Sequence, residues 1–163
     1  MNQNTITTQS LLYLTGVTAI LLAIPFIAMQ ITNDVQWTAS DFVIAGAMLF
    51  FSGLAWLFLK SRKRNTLYKI ASAILVGSVL FLLWSNLAVG IIGSESNTIN
   101  IYYFGIVLVA VLGSAFASLQ PTGMSLTLFV MAFIQLLITV AALMTGMHNQ
   151  PGSSLTEIVG INT

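Results

Sequence analysis

The sequence contains no cysteine. A disulfide framework, a thiol redox pair and a thiolate-bound metal are therefore excluded. Charge is almost as scarce. Asp, Glu, Lys and Arg make up 6% of the 163 residues, against about a quarter in an ordinary soluble domain. That supply cannot coat a folded surface with polar groups, which excludes a soluble globular protein, a disordered chain and a nucleic-acid binder. Histidine occurs once, as His148. Haem held between two histidines and a zinc site of the HExxH type are excluded with it. A glycine-rich phosphate loop is missing too.

What is present is apolar. Hydrophobic residues make up 57% and mean hydropathy is +0.95. A membrane helix needs roughly 20 mostly apolar residues, and five stretches qualify: Ser10 to Ile31, Asp41 to Leu59, Tyr68 to Ile92, Ile101 to Leu119, and Ser125 to Met147. Polar or turn-forming sequence separates them, ending with QPTG, where Pro121 and Gly123 disfavour a continuous helix. The expected fold is an all-α polytopic transmembrane bundle: residues 1–147 form one five-helix bundle and 148–163 a short polar external tail. The first ten residues carry no Lys or Arg, and the apolar run after them exceeds a signal-peptide core, so the first span is expected to remain as an anchor.

Every basic residue lies at one place: Lys60, Arg62, Lys63, Arg64 and Lys69. The positive-inside rule puts this loop in the cytoplasm, with the N-terminus inside and the C-terminus outside. The four acids, Asp34, Asp41, Glu95 and Glu157, then all fall on the outer side with His148. The basic loop is expected to orient the protein and meet lipid headgroups.

No span carries an ionisable group at mid-depth. Proton-coupled pumps and small multidrug exporters need a buried carboxylate, and a retinal protein a mid-helix lysine. No catalytic residue, cofactor or metal site is expected. Two amides lie well inside spans, Asn86 and Gln135. An amide in hydrocarbon must find partners, so both should face protein. Pro25 cannot donate to the carbonyl of Leu21 and should bend the first helix. Asn86 and Pro25 are each 6 residues from the outer end of their spans, about 9 Å below the boundary. The amide and the freed carbonyl can bond each other or line an outer cavity. Trp37, Trp84, Tyr102 and Tyr103 lie near that level, as an interfacial belt or as the wall of a vestibule rimmed by Asp34, Asp41 and Glu95.

Small residues recur at helical spacing: Ala19 and Ala23; Ala45–Gly46 and Ser52–Gly53; Ala71, Ser78 and Ser85; Gly113 and Ala117 beside Ala110 and Ser114; Ala142 and Gly146. Such stripes let helices approach in lipid. Asn86, Gly90 and Gly93 would form one more. Spans one and two, and spans three and four, read as two outward hairpins, a pattern that an internal repeat gives and that any two such hairpins give as well.

The stretch WSNLAVGIIGSESN, continuing through NIYYFGIVLVAVLGSAFASLQPTGM, resembles a group of small bacterial multi-span inner-membrane proteins with no assigned activity. LLYLTGVTAILLAIPFIAMQITNDVQWTASDF is similar to the same group, so the resemblance covers most of residues 11 to 125. It implies a multi-pass protein of the bacterial inner membrane and brings no catalytic residue, ligand or partner. Two functional readings lead, with an enzyme acting in lipid as a third. One is an accessory or scaffold protein acting through helix packing, with the bilayer, other membrane subunits or a second copy as partners and no nucleic acid. The other is a small oligomeric channel or facilitator with an acidic outer vestibule.

Reporter fusions test the orientation. A fusion at Arg62 should read cytoplasmic and one after Gln150 external; the same side for both contradicts an odd number of spans between them.

Overall fold

A computed structural model describes residues 6–62, 65–88, 90–92, 97–147 and 158–160. Lys63, Arg64, Gly93, Glu95, His148 and Glu157, named above, lie outside the described residues. The fold is all-helical, with no strand among the described residues. Five long helices follow in order: α1 (Thr8–Ile31), α2 (Ala39–Ser61), α3 (Thr66–Ala88), α4 (Ile101–Phe116) and α5 (Pro121–Met144), with a 3₁₀ turn, Thr98–Asn100, leading into α4. All five are long and apolar enough to cross a membrane, α4 when counted with its leading turn. Their outer faces carry large apolar side chains: Phe116 is 86% exposed and Phe129 74%. Apolar surface repeated along every helix belongs in hydrocarbon rather than water. The chain is an integral, multi-pass membrane protein.

The chain divides into two compact units, Met1–Val76 and Gly77–Thr163, with the boundary inside α3. In the first unit α1 and α2 pair as an antiparallel hairpin. Leucines of α1 meet glycines of α2. Leu22 Cδ1 lies 3.2 Å from where a Cβ on Gly46 would stand, and a Cβ on Gly53 would collide with Leu14. The spacing is eight residues on α1 and seven on α2, two helical turns on each. The α2 glycine stripe is thus used, and Ala45 beside it is 5% exposed. The α1 contribution is not the Ala19–Ala23 face. Ala19 is exposed, whereas Thr18 is buried and Leu14 and Leu22 half-buried. A glycine needs a bulky knob to fill its hole, and leucine supplies that better than alanine.

The hairpin closes over aromatic residues. The Phe42 ring packs edge-on to Phe26 at 6.3 Å and to Trp37 at 5.2 Å. Helix α1 runs through Pro25 to Ile31. Helix α2 starts on a capping box: Asp41 N–H donates to Thr38 Oγ1 at 3.4 Å, and Thr38 N–H donates to Asp41 Oδ2 at 2.7 Å.

In the second unit α4 and α5 form another antiparallel hairpin, built on small residues. A Cβ on Gly113 would stand 2.8 Å from Thr127 Oγ1, and one on Gly123 would collide with Ala117 Cβ and lie 3.2 Å from its Cα. Buried Ala110 and Ser114 belong to the same face. The turn between them lies earlier than the QPTG sequence suggests. Helix α4 ends at Phe116, and Leu119 N–H donates to Ser114 O at 3.0 Å while Ser118 N–H donates to Ala115 O at 2.9 Å. That is a Schellman motif. Ser118 and Leu119 both adopt left-handed backbone, φ 49° and 54°, a cost of roughly 1–2 kcal/mol for each non-glycine residue. Pro121 then opens α5 instead of preventing it, because a first-turn N–H needs no helical partner. Gly123 sits one turn inside α5, where it admits Ala117.

The third span also ends early. Helix α3 stops at Ala88 rather than Ile92, and Gly90 has φ 74°. Gly90 therefore does not continue a helical stripe from Asn86. The tight hairpins are α1–α2 and α4–α5, and α3 and α4 are joined by a different kind of link.

The glycines make a graded prediction. Gly53→Ala meets only the flexible end of Leu14, and the helix-propensity gain of about 1 kcal/mol offsets the repacking; its stability should stay near wild type. Gly123→Ala meets a Cβ and backbone that cannot rotate away and should cost about 1–3 kcal/mol. Unfolding by SDS titration in mixed micelles ranks the two.

Candidate functional site

A buried polar cluster lies where α3 gives way to α4. It follows from one asparagine, Asn100, immediately before the apolar run of α4. Asn100 Oδ1 accepts from Ile91 N–H at 3.2 Å and from Ile92 N–H at 3.0 Å. Its Nδ2 donates to Ile92 O at 3.3 Å. In a continuing helix those two N–H groups would bond to Leu87 and Ala88. The Asn100 side chain takes them instead, so α3 can stop inside the protein without leaving donors bare. Gly90 supplies the left-handed backbone that turns the chain there.

Asn86 completes the cluster. Its Nδ2 donates to the Asn100 carbonyl at 3.1 Å. Both asparagines are 4% exposed, and Ile91 and Ile92 are 2% and 0%. Asn86 Oδ1 is buried and has no hydrogen-bond partner among the described residues. The hydrogen bond that the structure gives the Asn86 amide nitrogen is thus to Asn100, within the same unit. Since α3 ends two residues after Asn86, the amide is at a helix end rather than 6 residues inside one. Asn97 prepares the other side, its Oδ1 accepting from Ile99 N–H at 3.2 Å to start the 3₁₀ turn.

The remaining candidates are dispersed. Gln135 is half-buried on α5, one turn from buried Met131 on one side and buried Thr139 on the other. Its carbonyl accepts the Thr139 hydroxyl at 2.9 Å. Of the four interfacial aromatics, Tyr103 is fully buried and Tyr102 is 62% exposed, so the adjacent tyrosines do not share one role. Trp84 is exposed, and Trp37 packs on Phe42. Of the acids proposed for an outer rim, Asp34 is exposed and Asp41 Oδ2 accepts both the N–H and the hydroxyl of Thr38, the latter at 2.8 Å. Glu95 lies outside the described residues. Lys60, Arg62 and Lys69 are exposed, and the Arg62 guanidinium lies over the Phe58 ring at 4.9 Å.

No group of three or more His, Asp or Glu side chains able to hold a metal occurs among the described residues. No protein-family model, curated protein or solved structure matches the chain.

Asn100 did not stand out in the sequence because it precedes its span rather than interrupting it. The available signal was NTIN: two asparagines just ahead of a helix, after a glycine-punctuated end of the previous one.

The two asparagines should differ sharply on substitution. Asn100→Leu strands two buried N–H groups at about 1–3 kcal/mol each. Asn86→Leu removes one bond but also the unpartnered Oδ1, so it should cost no more than about 1 kcal/mol. SDS unfolding of both variants checks the order; an equal or larger loss for Asn86→Leu contradicts the clamp.

Proposed function

We propose that this protein is a non-catalytic accessory or scaffold protein of the bacterial inner membrane, acting through the faces of its helices. The observation that carries the reading is how the intramembrane polar groups are used. Asn86 and Asn100 spend their hydrogen bonds on the chain's own backbone. Ser72, Thr127 and Thr139 bond carbonyls one turn back in their own helices. Asp41 caps α2. Conduction or transport draws on polar or ionisable groups offered to a substrate, and here most of these groups are spent on structure, Asn86 Oδ1 and Ser114 Oγ being buried atoms without a partner among the described residues. The glycine-rich hairpins support the same reading, since close packing is what holds helices together in lipid.

In this proposal the N-terminus and the basic loop face the cytoplasm and the C-terminus lies outside, as the charge distribution supports. The resemblance to small bacterial inner-membrane proteins supports the assigned membrane. Partners are other membrane subunits or a second copy.

The test is reconstitution of the full chain into liposomes loaded with a pH dye or a potassium indicator. Flux should equal that of empty liposomes. An Asn86→Cys variant of this cysteine-free chain should react slowly with an impermeant maleimide. Flux well above the empty control, with fast labelling at position 86, would overturn the scaffold reading in favour of a facilitator.

A further inference from the structure

Among the described residues, no acid lies near the exposed cations that flank the α2–α3 link. All five basic residues of the chain fall within ten positions, 60 to 69. Of the three that are described, Lys60 ends α2, Arg62 follows it, and Lys69 is in the first turn of α3. All three are exposed. The link from Arg62 to Asn65 is four residues long, so the helix ends lie within about 17 Å of each other. The described acids are far away. Asp41 is 19 residues before Lys60 along one helix, about 28 Å, and Asp34 lies beyond it in the α1–α2 loop. Both distances exceed the screening length of about 8 Å at physiological salt. The next acid along the chain, Glu95, comes 26 residues after Lys69. Helix dipoles do not alter this balance. The negative end of α2 and the positive end of α3 meet here, each about half an elementary charge, and they cancel.

Local geometry sets where these charges sit relative to the bilayer. The Arg62 guanidinium is held over the Phe58 ring at 4.9 Å. Phe58 is 45% exposed and Leu67, on the α3 side, 70%. An exposed apolar side chain on each helix thus flanks an exposed cation, with Trp56 one turn before Lys60. That is the profile of a membrane interface: acyl chains against Phe58 and Leu67, phosphates against Lys60, Arg62 and Lys69.

From this charge complementarity we infer that Lys60, Arg62 and Lys69, at the adjoining ends of α2 and α3, form a binding surface for anionic phospholipid, selecting phosphatidylglycerol-type headgroups over zwitterionic ones. Arg62, parked on Phe58, gives a directional donor for a phosphate oxygen. Lys60 and Lys69 add charge from the two flanking helices. The inference needs only the membrane embedding of the chain, so it stands or falls separately from the scaffold reading.

The test uses the full chain with Trp37→Phe and Trp84→Phe, leaving Trp56 as the sole reporter, in phosphatidylcholine vesicles. Part of the lipid is replaced by brominated phosphatidylglycerol or by brominated phosphatidylcholine. Quenching should favour phosphatidylglycerol several-fold at low salt, and the preference should shrink in 0.5 M salt, where the Debye length is only about 4–5 Å. Lys60→Gln, Arg62→Gln and Lys69→Gln together should bring it towards parity, at up to about fivefold per residue. Equal quenching by the two lipids in the unsubstituted link overturns the inference, as does a preference that survives the triple substitution. Loss of the preference on adding millimolar inorganic phosphate, beyond chloride at matched ionic strength, assigns the surface to a soluble anion and overturns it too. If the triple variant loses helix content, Lys60→Gln and Arg62→Gln singly decide, each lowering the preference if the surface is as described. If the tryptophan substitutions disturb the fold, phosphatidylglycerol retained by the wild-type chain in native mass spectrometry replaces the quenching measurement, with no preferential retention as the contrary result.

Discussion

An unpaired backbone N–H is costlier in hydrocarbon than anywhere in water, because no solvent competes to satisfy it. The break between α3 and α4 exists under that constraint. Stopping a helix at Ala88 bares the N–H groups of Ile91 and Ile92, and the Asn100 side chain takes both with one oxygen. Its amide nitrogen then returns to Ile92 O, so the irregular segment is bonded on both sides. Asn86 holds the start of α4 through the Asn100 carbonyl. Without this cluster the chain would have to continue as helix or expose polar backbone, and neither permits the buried turn at Gly90.

The same economy explains the two hairpins. Lipid tails are as apolar as leucine, so apolar contact alone brings no helices together. Glycine removes a side chain and lets the neighbour approach. In α1–α2 the gap is filled by leucine, a flexible knob. In α4–α5 it is filled by Thr127 and Ala117, short side chains that bring the backbones closer. The tighter hairpin also has the more strained turn, with Ser118 and Leu119 both left-handed. The Schellman bonds and the contact of Ala117 with Gly123 hold that turn in place.

Polar groups inside the spans are largely committed to structure, and the positive charge is gathered at one place in the chain. The α2–α3 link is the place where this protein presents several like charges close together. In the proposal made above its chemistry is directed at the bilayer surface, as suits a chain whose helices expose apolar side chains along their length.

Five apolar runs, the missing mid-span charges and the single basic loop are linear properties. A run of about 20 apolar residues can be satisfied in a membrane only as a helix, whatever its neighbours. The membrane class and the number of helices were therefore legible from residue order alone, and the α2 and α4 small-residue stripes were too. Helix ends were less so. Asp41 was visible as an acid, but its role as a cap depends on where Thr38 turns. Pro121 was visible as a breaker, yet it opens α5, because the Schellman bonds had already ended α4. Asn86 was visible as a buried amide, but its partner, Asn100, sits 14 residues away in sequence. Hydropathy depends on composition within a window, whereas a hydrogen bond between distant residues depends on where the intervening chain turns. Only the tertiary structure could decide that.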